Sequence, residues 1–109
     1  MTKVTVEPGV CGFVTKITAE ESPEDETCVK VRIASGCEAV RNMMEELPDT
    51  FDAYEVCLVK PGKGPIYEYA AEKFPIHAGC PVISGICKCI EAEVGLALKK
   101  DTVIHFEEE

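Results

Sequence analysis

A chain of 109 residues suits one core and buries about two-thirds of its unfolded surface, so a single domain over residues 1–109 is expected. Its 46% hydrophobic and 28% charged residues exclude a disordered, collagen-like or coiled-coil chain. With 11 Lys and Arg against 20 Asp and Glu the net charge is −9, which repels a phosphate backbone and sets nucleic-acid binding aside.

The opening MTKVTVEPGV lacks the basic and apolar regions of an export signal, and the longest uncharged run, Phe74 to Cys87, is too short to span a bilayer. A cytoplasmic protein without membrane contact is expected. Lys3 to Glu7 alternates, with Val4 and Val6 on one side, before Pro8-Gly9 breaks it, which is how a short strand enters a turn. Gly12 to Glu20 puts Phe13, Thr15, Ile17 and Ala19 on one face. Cys28 to Ala34 puts Val29, Val31 and Ile33 inward and Cys28, Lys30 and Arg32 outward, again a period of two. The acidic stretch between them, Glu20 to Glu26, reads as a solvated turn. The three segments form an antiparallel meander with one wet face, carrying a small basic strip of Lys16, Lys30 and Arg32.

The period then becomes helical. Ser35-Gly36-Cys37-Glu38 has the form of a capping box, and Ala39, Val40, Met43, Met44 and Leu47 follow at helical spacing until Pro48. Asp52 and Glu55 suggest a second cap and a short helical turn, with a buried strand at Val56-Cys57-Leu58-Val59 after it. Pro61-Gly62-Lys63-Gly64-Pro65 lacks the spacing and the Ser or Thr of a phosphate loop, so no nucleotide site is assigned. Ile66 to Phe74 reads as a short helix between Pro65 and Pro75.

The longest helix is expected over Cys80 to Leu98, with Pro81 in its first turn and Val82, Ile83, Ile86, Cys87, Ile90, Val94 and Leu98 recurring at helical intervals. Gly85, Ala92, Gly95 and Ala97 add small residues to that helix, at up to ~1 kcal/mol of propensity per Gly, and permit close backbone approach. Glu93 lies near the apolar face as a helix-edge carboxylate reaching water. Thr102 to Phe106 reads as a last strand ahead of the acidic Glu107 to Glu109. The expected class is α+β: an antiparallel sheet of about four strands, two or three helices packed on one face, and a long C-terminal helix followed by a last strand.

Seven cysteines, an odd number without an export signal, point to free thiols. Cys11, Cys37 and Cys80 each adjoin a glycine, and the latter two stand at expected helix starts, where free amides and the helix dipole favour a thiolate. This suggests a metal site in which Cys11, Cys37 and Cys80 converge at one end of the sheet and Cys57 or His77 completes four ligands, holding zinc or an iron–sulfur cluster. Against it, no Cys-x-x-Cys pair occurs, and free Cys often serves as a small buried apolar side chain. Cys87 and Cys89 fall two apart within the long helix and so face different ways, with Cys87 expected to pack and Cys89 to be peripheral. Cys28 is expected to face solvent, and His105 to be structural or exposed. A thiol enzyme using a helix-start cysteine is a third reading, with no protease-like signature beside it.

The run Cys80-Pro81-Val82-Ile83-Ser84-Gly85-Ile86, continued by Lys88, Ile90-Glu91 and Gly95-Leu96-Ala97-Leu98, and the earlier Gly9-Val10-Cys11-Gly12-Phe13 carry a resemblance. With them the chain resembles an uncharacterised family of short cysteine-containing proteins from anaerobic bacteria and methanogenic archaea. The resemblance implies a cytoplasmic, anaerobic setting and no transferable activity. The leading function is a non-enzymatic intracellular module binding zinc or an iron–sulfur centre through cysteine thiolates, and the second is a small structural or protein-interaction domain whose cysteines only pack. The second expects a protein partner or a homodimer.

Overall fold

Alternation of small apolar and polar residues builds the sheet. In the computed structural model, which describes residues 1–75 and 77–108, β1 (Thr2–Val6), β2 (Thr15–Ser22) and β3 (Asp25–Ser35) pair antiparallel in chain order. Val4 faces Ile17 and Ile17 faces Ile33, while Ala19 faces Val31. Because side chains alternate with a period of two, this register sends Ile17, Ala19, Val29 and Val31 into the core and leaves Lys16, Glu20, Lys30 and Arg32 exposed. The wet face and its basic strip are therefore as the alternation suggests. Glu20 stands opposite Lys30, whose ammonium also lies 3.8 Å from Asp49 Oδ2, so one member of the strip is offset by neighbouring acids.

α1 (Glu38–Glu46) follows β3 and buries Val40 and Met43. Its capping box does not form. Cys37 is the N-cap residue and makes no side-chain cap bond, because the Ser35 hydroxyl is engaged one residue early, accepting from Cys37 N–H at 3.1 Å and sharing a proton with Thr15 Oγ1 at 2.8 Å. The fourth strand, β4 (Thr50–Asp52), pairs with β3 through Phe51 and Val29. Asp52 ends it and caps α2 (Ala53–Cys57) by accepting from Tyr54 N–H at 2.9 Å.

Two strand expectations are corrected. Val56 to Cys57 is the end of a helix rather than a buried strand, because the Asp52 cap starts a helical turn whose Val56 is already buried at helical spacing from Ala53. Thr102 to Phe106 has a strand pattern but no strand partner; no strand or helix is formed over 94–108. The sheet thus reaches four strands by way of the three-residue β4.

α3 (Pro65–Lys73) begins at Pro65, with Gly64 as its N-cap at φ 89°. It packs on α1, α2 and α4 rather than on the sheet. α4 (Val82–Glu93) is shorter than the expected Cys80 to Leu98. Gly95, at φ 79°, turns the chain, and Leu96 and Ala97 N–H both donate to Glu91 O, an ending that satisfies terminal carbonyls.

α4 lies across β1 and β2. A Cβ at Gly85 would overlap the Val6 side chain and sit 3.5 Å from Ile17 Cδ1, so this glycine sets how closely helix and sheet approach. At the other end of α4, Glu93 meets Thr2 and Glu21. The core consists of Ile17, Ala19, Val29 and Val31 from the sheet, Val40 and Met43 from α1, and Ile83, Ile86, Cys89 and Ile90 from α4, with neighbours from α2 and α3.

Candidate functional site

The β1–β2 loop, the β3–α1 junction and the start of α4 share one end of the sheet. Thr15 and Ser35 pair there, Gly36 leaves only 3.0 Å between a notional Cβ and Phe13 Cδ1, and Gly85 faces Val6. Cys11, Cys37 and Cys80 belong to those three segments. Cys11 is exposed, and Cys37 and Cys80 are half-buried. His77 is exposed in the turn before Cys80, whose N–H donates to His77 O at 3.3 Å. Cys57 is elsewhere, at the end of α2.

These residues share a region but not a coordination sphere. Among the described residues, no group of three or more His, Cys, Asp and Glu is placed to hold a metal ion. Thiolate–zinc bonds are about 2.3 Å long, so a shared ion needs its sulfurs much closer than a common end of a sheet provides. All seven cysteines are free thiols.

Cys57 instead meets Cys87. The Cys57 thiol donates to Cys87 O at 3.5 Å, and both cysteines line a groove of about 180 Å³ with Lys60, Lys63, Tyr67 and Glu91. Burial, then Cys87 and Glu91 nearby, push the Cys57 thiol up to about 12. Burial and Glu91 push Cys87 up to about 11. Both are held as neutral thiols, the opposite of what a nucleophile or metal ligand needs. The sequence reading missed this pair because it placed residue 57 on a strand; an Asp52-capped helix is the signal that brings Cys57 round to α4.

The expected roles of Cys87 and Cys89 are reversed. Cys89 is fully buried and Cys87 half-buried, because the α4 stripe that meets the sheet runs through Val82, Gly85, Ile86, Cys89 and Ile90. The Cys89 thiol donates to Thr2 O at 3.4 Å and lies 3.8 Å from Ile17 O. Burial pushes it up to about 11. Cys28 is half-buried and donates to Asp25 Oδ2 at 3.4 Å.

Glu93 is more constrained than a helix-edge carboxylate. Its side chain is 9% exposed, Thr2 Oγ1 donates to Oε1 at 2.7 Å, Glu21 N–H donates to Oε2 at 2.9 Å, and the terminal ammonium is 3.4 Å away. Burial alone raises its carboxyl, but the Glu21 and Thr2 hydrogen bonds and the ammonium hold it below the ordinary 4.5.

An antiparallel meander with helices on one face and unpaired thiols defines an α+β domain. The chain belongs to a family of unknown function (DUF6951), matched over residues 2–106. No curated protein and no solved structure matches it. No helix among the described residues is long and apolar enough to cross a membrane.

Proposed function

We propose that this domain is a non-enzymatic protein-interaction module whose cysteines serve its packing. The observation that carries this reading is the C-terminal segment. Val103, Ile104 and Phe106 are 77%, 81% and 93% exposed and sit close together in sequence, inside the span shared with the family. Clustered exposed apolar residues mark a surface to be covered. Cys57, Cys87 and Cys89, held neutral, suit packing rather than chemistry. The reducing, cytoplasmic setting belongs to this reading, since seven free thiols persist there.

A second reading, the metal module, is favoured by one observation: Cys11, Cys37 and Cys80 lie at the same end of the sheet. Zinc or an iron–sulfur cluster held by them, with His77 rather than the distant Cys57 as a fourth ligand, requires the β1–β2 loop and the turn before α4 to draw together. Elemental analysis and an ultraviolet-visible spectrum of protein purified without oxygen decide between the two. The interaction module gives colourless, metal-free, folded protein, with Cys37→Ser and Cys80→Ser costing only some stability. Near-stoichiometric zinc or iron that is lost in Cys11→Ser or Cys80→Ser makes the metal module the function instead.

A further inference from the structure

The sheet order β1-β2-β3-β4 gives β1 a strand neighbour on one side only. Along β1, Val4 and Val6 are only half-buried. An open five-residue edge exposes N–H and C=O groups able to pair with another strand. The other edge is blunted, since β4 has only three residues and runs straight into α2. The molecule also carries a strand-patterned segment without a partner, Thr102 to Phe106, matching β1 in length. It stands away from the core, consistent with principal extents of 49 × 29 × 25 Å.

We propose that Thr102–Phe106 of one copy adds antiparallel to β1 of a second copy, and reciprocally, closing a two-fold dimer by strand exchange. This rests on the interaction reading above and names its partner. Strand addition uses backbone hydrogen bonds for affinity and alternate side chains for fit, and a reciprocal exchange closes at two copies.

Register and charge select the orientation. With Thr102 opposite Val6 and Phe106 opposite Thr2, Ile104 falls opposite Val4. The even-numbered residues of both strands then share the face that α4 covers, while Val103 and His105 fall opposite Thr5 and Lys3. Lys99 and Lys100 come beside Glu7, and Glu107 and Glu108 come beside Lys3 and the amino-terminal end. The parallel arrangement would bring Glu107 and Glu108 to Glu7 and the two lysines to Lys3, setting like charges together.

Light scattering of the full chain and of Ile104→Lys, with residue-resolved amide exchange on both, tests this. Because Ile104 is exposed and outside the core, the variant keeps its fold, checked by unchanged protection in β2 and β3. The expected result is a full chain of twice the 11.9 kDa monomer mass, slow exchange in 102–106 and at the outward amides of β1, and a monomeric variant that loses both. A dimer unaffected by Ile104→Lys overturns the strand exchange and leaves the interaction module to another surface. A monomeric full chain with a protected tail overturns it in favour of the tail covering its own β1. A monomeric full chain with an unprotected tail overturns it too, and no cross-linking to any partner under the same conditions would remove the interaction reading itself.

Discussion

Glu93 shows how much one carboxylate can organise. It joins α4 to the start of β1 and the end of β2 through bonds spanning 91 and 72 positions of sequence. Charge-assisted hydrogen bonds of this kind are each worth roughly 1.5–3 kcal/mol. Glu93→Gln is expected to cost about 1–3 kcal/mol in denaturant unfolding at neutral pH. Because the folded carboxyl lies below its unfolded value, this contribution is complete above the ordinary 4.5 and is lost as pH falls through the folded value. The gap between wild type and variant should therefore close in acid; a gap that persists there would assign the loss to packing. Periodicity placed Glu93 by the apolar face, but its partners come from residues 2 and 21, beyond the reach of local patterning. The thiols divide just as sharply. A thiol moved from 9.0 to about 12, as at Cys57, carries roughly a thousandfold less thiolate near neutrality. Timed iodoacetamide labelling read by mass spectrometry should modify exposed Cys11 early and Cys57, Cys87 and Cys89 late, with Cys89 reacting only on unfolding.

Elements whose pattern ran for eight or more residues were legible. β2, β3, α1 and α3 are close to where alternation or helical spacing puts them and α4 starts as expected but ends at Glu93; of its small residues, Gly85 meets the sheet while Gly95 lies past the helix end. Gly85→Ala should destabilise by about 1–3 kcal/mol through overpacking. The double variant with Val6→Ala should lose less than the sum of the two singles, since the added methyl then occupies the space vacated; strict additivity would place the strain elsewhere. The stretch around residues 50–59 was not legible, because a three-residue strand and a five-residue helix are too short for a period to declare itself. What decided it was the Asp52 cap, a single hydrogen bond. Thr102 to Phe106 failed for a different reason: local pattern states what a segment could pair as, whereas a strand needs a neighbour. For the cysteines, helix starts and turns indicate which segments carry them, but not their separations, which depend on loop paths without a periodic signal.

At the scale of the whole molecule, the described residues beyond Glu93 contribute little to the interior: among them only Val94 packs against the core. Ending the chain after Lys100 should therefore leave the unfolding free energy within about 0.5 kcal/mol in dilute solution. Under strand exchange the full chain gains on the truncated one as protein concentration rises, because association adds to the stability of the folded form. Calorimetry over a concentration series reads both effects, and a large loss in dilute solution would show that the tail supports the monomer. The way α4 closes the fold also bears on the order in which it forms. Sheet neighbours are neighbours in sequence, so the meander can assemble by successive short hairpins. α1 and α2 cover the β3 side of its apolar face, but the β1–β2 side is covered only when a helix some 70 residues later docks there. During synthesis the amino-terminal half must therefore wait, half-finished and adhesive, until the ribosome has released α4. A slow ribosomal pause before residue 93 would prolong the interval in which aggregation competes with folding.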